Sequence, residues 1–95
     1  MKIVWLREAS LGLDYHYDYL AARNPKAATY VFKRIVESSK RLGRFPQSGR
    51  PGQCDGTREL VVPGVPYILV YRVSDTTVEI LRVFHTSSDW PELMQ

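Results

Sequence analysis

Apolar and polar positions change rhythm several times along this chain, and each change marks an element. Residues 2–6 (KIVWL) are rich in β-forming types with weak alternation, which predicts a short first strand. From 8 to 23 the rhythm becomes helical. Ala9, Leu13, His16, Tyr17 and Leu20 fall at spacings of four, three, one and three, which is one face of a helix. Gly12 lies inside it and weakens it by about 1 kcal/mol relative to alanine. Asn24-Pro25 breaks the pattern and restarts it. Asparagine can cap a new helix, and proline suits the first position, where the missing N–H would have no partner. The second helix runs from 25 to 42, with Ala28, Val31, Phe32, Ile35 and Leu42 as its buried stripe. Lys33, Arg34, Glu37, Lys40 and Arg41 lie mostly outside that stripe, and Gly43 supplies a stop. So short a link between two helices predicts an antiparallel hairpin.

Residues 43–56 (GRFPQSGRPGQCDG) carry four glycines and two prolines and read as loop, with Phe45 expected to tuck beneath it. Three strands follow. Residues 57–62 are closed by the turn Pro63-Gly64-Val65-Pro66. Residues 67–73 (YILVYRV) are apolar on both alternating faces, as a central strand would be. Ser74-Asp75-Thr76 turns the chain, and 77–84 return. The expectation is a single α+β domain over 1–95: N-terminal strand, antiparallel helix hairpin, then a three-stranded antiparallel meander (β-α-α-β-β-β). The first strand is expected at one edge of the sheet. The tail, 87–95, is expected to form a short helical turn begun by Ser88 or Asp89.

Composition narrows the classes. At 95 residues, 44% hydrophobic and 24% charged, the chain is one ordinary globular domain. Cys54 is the single cysteine, so no internal disulfide forms, which fits a reducing compartment. No apolar run approaches the ~20 residues of a membrane helix. The opening segment meets Arg7-Glu8 too soon for a signal peptide. A cytoplasmic protein with no membrane partner is therefore expected. The net charge of +3 and pI of about 9.2 favour an acidic partner, either protein or nucleic acid.

Candidate chemistry is sparse. Two histidines and one cysteine have no zinc-ligand spacing, so neither metal nor cofactor is expected. His16 reads as a satisfied, partly buried side chain. Tyr15, Tyr17 and Tyr19 crowd one helix, where at most two can face the core, so one or more should be exposed. An exposed tyrosine such as Tyr19 can anchor a partner. Arg58, Arg72 and Arg82 lie on successive strands. They form a basic stripe if they share a face, and otherwise separate charges or pairs with Glu59 and Glu79; both arrangements remain open. Trp90-Pro91 reads as a plug at the core edge.

The order of elements, together with several local strings, resembles the RelE/ParE toxin superfamily, with the ParE-like branch favoured. The strings are Asp18-Tyr19-Leu20-Ala21 before Asn24-Pro25, then Phe45-Pro46 with Ser48-Gly49-Arg50, then Gly56-Thr57-Arg58-Glu59-Leu60. Residues 67–73 and Val83-Phe84-His85 with Asp89-Trp90-Pro91 complete the set, which spans nearly the whole chain. The resemblance implies the toxin of a type II toxin–antitoxin pair, neutralised by a cognate antitoxin. ParE-like members are known as DNA gyrase poisons, and RelE-like members as ribosome-dependent mRNA endonucleases.

Cleaving RNA at its own 2′-OH needs a base, positive charge on the phosphate and an acid for the leaving oxygen. The chain offers His85, Arg82, Arg72, Arg58 and Glu59 for these, with histidine as acid or base and arginine as phosphate clamp. Three departures count against it. Val62-Pro63 stands where RelE-like chains tend to carry arginine, Phe84 precedes His85, and the loop after the second helix has Arg44 and Arg50 but no lysine. The preferred expectation is therefore a poison that binds and performs no catalysis. Its target and partner contacts are expected at Arg58, Arg72, Arg82, His85, Asp89, Trp90 and Tyr19. One departure touches that reading too. ParE-like tails often carry arginine where Ser88 stands, so a non-toxic, antitoxin-binding remnant is the third alternative. Homodimer and toxin–antitoxin hetero-oligomer both remain open.

Overall fold

The computed structural model describes residues 1–87. Its elements are β1 (Lys2–Trp5), α1 (Arg7–Ala21), α2 (Pro25–Leu42), β2 (Arg50–Pro51), β3 (Arg58–Val61), β4 (Tyr67–Val73) and β5 (Thr77–His85). The strands form one mixed sheet in the order β1-β5-β4-β3-β2. β1 runs parallel to β5, with Ile3 opposite Val78, and the other pairs are antiparallel. The expected edge position of the first strand holds. β2 does not follow from the sequence reading, which leaves 43–56 as loop. It is two residues long and held by its partner: Arg50 and Pro51 lie opposite Glu59 and Arg58.

Asn24 caps α2 through its side-chain oxygen, which accepts the Ala27 N–H at 3.1 Å, and Pro25 opens the helix. Gly43 ends it for a different reason from the one expected. Its φ is −64°, an ordinary helical value, so no left-handed cap is made. A β-carbon there would lie 2.6 Å from the Met1 carbonyl oxygen. The Met1 ammonium also donates to the Gly43 carbonyl at 2.8 Å. Glycine at this position lets the N-terminus lie against the end of α2.

The core follows from strand alternation. Tyr67, Leu69 and Tyr71 of β4 join Val78, Ile80 and Val83 of β5 against Ala9 and Leu13 of α1 and Ile35 and Leu42 of α2. The intervening Ile68 and Val70 form a second cluster with Phe84 on the opposite face of the sheet. The register of β4 with β5 shifts between Val70, opposite Arg82, and Tyr71, opposite Ile80. The extra residue, Leu81, packs with the second cluster. Burial of an apolar side chain contributes roughly 1.5–3 kcal/mol, so the first cluster carries most of the stability.

Two expected helix-face residues belong elsewhere. Tyr17 and Phe32 are 38% and 37% exposed and meet edge to face at 5.7 Å, sealing the hairpin from outside rather than entering the core. Tyr15 and Tyr19 are exposed as well. Phe45 does not tuck beneath its loop either. It is 52% exposed and lies along a surface groove, while the Tyr71 hydroxyl holds the neighbouring Pro46 carbonyl.

Candidate functional site

Of the concave surfaces among the described residues, one of about 390 Å³ lies at Leu6, Glu8 and Arg82, and two others hold the groups of interest. The larger is a groove of about 650 Å³ between the last turns of α2, the loop that follows and the start of the β3–β4 turn. Its walls include Phe45, Pro46, Leu60 and Pro63, with Arg41 and Arg44 also among the lining residues and no carboxylate among them. Tyr71 fixes the loop wall. Its buried hydroxyl accepts the Gly49 N–H at 2.9 Å and donates to the Pro46 carbonyl at 2.8 Å. Arg34 fixes the other wall by donating twice to the Pro63 carbonyl, at 3.1 and 2.7 Å. Beside the groove, β2 covers only Arg58 and Glu59, and β3 continues through Leu60 and Val61. Among the described residues, that stretch of the sheet edge has no outer strand.

The second surface is a pocket of about 350 Å³ where the middle of α1 meets the start of β4 and the end of β5. Tyr15, His16, Tyr19, Leu20, Tyr67, His85 and Ser87 line it. The Tyr67 ring meets His16 at 5.0 Å and His85 at 5.1 Å, both edge to face. Burial lowers the pKa of His16; the backbone of Val83 partly offsets this, and His85 adds to it. Burial likewise raises the pKa of Tyr67, with a further contribution from Tyr19. The fold therefore favours both side chains in their neutral forms.

The three expected arginines are not brought together. Arg58 lies opposite Tyr71 and turns to the loop, donating to the carbonyls of Gly49 at 3.0 Å and Gln47 at 3.1 Å. Arg72 follows Tyr71 on β4 and so points to the other face, where it pairs with Glu79 at 2.5 Å. Arg82 lies just beyond the register shift, 3.9 Å from Glu8 at the start of α1. The open alternative of a single basic stripe is thus not what forms. Of the expected contact residues, Tyr19 and His85 share the second pocket. Asp89 and Trp90, and the expected helical turn in the tail, lie outside the described residues.

Glu59, a candidate for nuclease chemistry or for pairing in the sequence, has a structural task that sequence reasoning missed. It is 4% exposed, accepts the Gln53 N–H at 3.1 Å and pairs with Arg50 at 3.0 Å, holding the loop to the sheet. Sequence reasoning also missed Arg41 and Phe45 as groove residues. Their signal was present: a basic last turn of α2 running into an aromatic within a loop. Among the described residues no cluster of histidine, cysteine and carboxylate could hold a metal, and no helix is long and apolar enough to cross a membrane.

A helix hairpin beside a five-stranded mixed sheet, with the N-terminal strand parallel at its edge, is the architecture that the RelE/ParE resemblance implies. Comparison with known proteins makes the assignment narrower. A family model described as "ParE toxin of type II toxin-antitoxin system, parDE" matches residues 3–90. The protein Y4kP of Sinorhizobium fredii is 41% identical over 93 residues, covering 98% of this chain and 96% of its own length. "Toxin RelE2" of Caulobacter vibrioides is 30% identical over 86 residues, covering 90% and 96%. A chain from the structure titled "Chromosomal ParDE TA system from P. aeruginosa" superposes with a TM-score of 0.82 at 30% identity, covering 92% of this chain and 97% of that one. The chain belongs to the ParE toxin family of type II toxin–antitoxin systems.

Proposed function

We propose that this toxin acts in the cytoplasm by binding DNA gyrase and arresting replication, and that a cognate antitoxin neutralises it by occupying the cationic groove. The observation that carries the binding reading is the dispersal of Arg58, Arg72 and Arg82. One is bound to loop carbonyls, one is paired across the sheet, and one stands at a separate edge. Metal-free RNA cleavage needs charge converging on one phosphate, and these guanidiniums do not converge. A poison that traps its target needs only a shaped surface.

The groove suits an extended antitoxin segment with apolar side chains and acidic flanks. Phe45, Leu60 and Pro63 offer apolar area, and Arg41 and Arg44 offer charge without a carboxylate beside them in the lining. The uncovered edge at Leu60 and Val61 can accept backbone hydrogen bonds from an added strand. Charge reversal at Arg41 and Arg44 should slow association and flatten its salt dependence, because rim charges act mainly on encounter. Unchanged association for Arg41→Glu/Arg44→Glu would move the antitoxin elsewhere.

The target is tested by gyrase supercoiling and DNA cleavage with the purified chain, and by growth on expression without antitoxin. Inhibited supercoiling with accumulated cleaved DNA is expected, together with a DNA-damage response. A second reading, a ribosome-dependent mRNA endonuclease, is favoured by one observation: His85 lies close to Tyr67 and His16, groups able to move protons. Ribosome-bound message cut at defined positions, and spared by His85→Ala, would establish it in place of gyrase. Normal growth with antitoxin binding intact would mark the chain as a non-toxic remnant.

A further inference from the structure

We propose that the pocket between α1 and the ends of β4 and β5 binds a nucleotide, with the base against Tyr15 and Tyr19 and the phosphate held by His85 and Tyr67. The inference does not depend on gyrase, and it is a proposal about binding, not cleavage.

The phosphate end rests on two donors. Tyr67 is 3% exposed and lines the pocket, yet its hydroxyl makes no hydrogen bond to another described residue. No buried side-chain atom among the described residues lacks a partner, so this hydroxyl must open to solvent in the pocket. A hydroxyl on a residue so enclosed is an available donor with one direction to use it. His85 supplies the second. The Ser87 N–H donates to its Nδ1 at 3.1 Å, and the Ser87 hydroxyl lies 2.7 Å from the same nitrogen. An Nδ1 that accepts leaves the proton of the neutral ring on Nε2, which is then the ring's free donor.

The base end rests on the tyrosines. Tyr15 and Tyr19 are 64% and 50% exposed and lie one helical turn apart, their rings 6.4 Å apart and inclined by 30°. Tyr15 therefore presents an open π-face beside the donors, as single-strand binding proteins do. Arg23 sits 3.7 Å over the Tyr19 ring and donates to the Tyr19 carbonyl, which fixes a permanent cation next to the pocket. The titratable and charged groups facing the site among the described residues are Tyr15, His16, Tyr19 and Arg23 of α1, Tyr67 of β4 and His85 of β5. None of these is a carboxylate.

The test is a heteronuclear NMR titration of the purified chain with thymidine monophosphate, inorganic phosphate and a single-stranded thymidine oligonucleotide. The nucleotide should shift His16, Tyr67 and His85 signals saturably. Inorganic phosphate alone should bind about tenfold more weakly, because it gains no stacking. Tyr15→Ala, an exposed change, should cost about tenfold in nucleotide affinity. Tyr67→Phe should weaken binding while leaving thermal stability unchanged, since its hydroxyl holds nothing in the fold. An oligonucleotide that binds more tightly than the mononucleotide assigns single-stranded nucleic acid as the natural ligand; equal affinity assigns free nucleotides. Absence of saturable shifts at His85 and Tyr67 overturns the site. Equal affinity for phosphate and nucleotide overturns the stacking wall.

Discussion

Replacing Tyr71 by phenylalanine removes a single oxygen and tests how the groove is built. The ring is fully buried beneath the loop after α2, and phenylalanine keeps that packing. The lost hydroxyl had satisfied two backbone groups at once: the Gly49 N–H at 2.9 Å and the Pro46 carbonyl at 2.8 Å. A buried group left without a partner costs about 1–3 kcal/mol. Pro46 is half-buried and its carbonyl can turn toward water, so Gly49 should carry most of the loss. The expected destabilisation is about 2 kcal/mol. For a domain of this size, that lowers Tm by roughly 8–16 °C. Calorimetry gives the first reading, and amide hydrogen exchange gives the second. Exchange at Gly49 should accelerate more than the global loss explains, since the loop opens locally. Antitoxin affinity should also fall well below the melting range, because the same loop forms a wall of the groove. A Tm within about 2 °C of the parent, with Gly49 exchange unchanged, would refute the reasoning.

Three further outcomes follow from the same scaffold. Gly12→Ala should stabilise the chain by about 0.5–1 kcal/mol in urea unfolding, because α1 continues unbroken through it. The added β-carbon meets nothing closer than the Val83 carbonyl oxygen at 3.5 Å, and a lowered urea midpoint would show that α1 has no room to spare. Ile35→Ala should cost about 2–5 kcal/mol in the same assay, since the side chain is fully buried between the hairpin and the sheet. For His16, burial is the main cause of a pKa below the ordinary 6.5, so the unfolded chain takes up its proton more readily than the folded one. The stability this lends is complete above about pH 6.5 and is lost as pH falls toward the lower folded value, and His16→Gln should remove that part of the acid sensitivity.

Much of the fold was legible because its signals are local. Asn24-Pro25 marks a helix start through the chemistry of its own two residues, and the structure places cap and first turn there. The run at 67–73 has no polar face to expose, and it becomes β4, flanked on both sides. What escaped was set by contacts between distant segments. β2 exists because Arg50 and Pro51 meet β3, with Glu59 gripping Arg50 and the Gln53 N–H. A glycine- and proline-rich string cannot announce a pairing that its partner imposes. Tyr17 and Phe32 sit at helix-face spacing, yet they pack on each other at the rim because the core is already filled. Helical spacing tells which residues share a face, but the width of the buried stripe depends on what lies opposite.

The site was less legible than the fold, and the arginines show why. Whether Arg58, Arg72 and Arg82 share a face is a question of parity, and parity between strands is set by register. Arg58 opposite Tyr71 places it one step out of phase with Arg72. The shift between Val70 and Tyr71 then inserts Leu81, so that Arg82, three residues on from Glu79, falls opposite Val70 and in phase with Arg72. One residue of slip moves a side chain to the other face, so no reading of strand sequences alone fixes the outcome. Deleting Leu81 should restore regular pairing, with Ile80 opposite Tyr71 and Arg82 opposite Val70 as before, so Arg82 keeps the face it shares with Arg72. Such a chain should lose the contact of Leu81 with Ile68, Val70 and Phe84 and be less stable. Its salt dependence of polyanion binding should stay that of the parent, because no guanidinium changes face and no further charges converge. A steeper salt slope in a deletion variant that still folds would show that the inserted residue itself, and not register, keeps these guanidiniums apart.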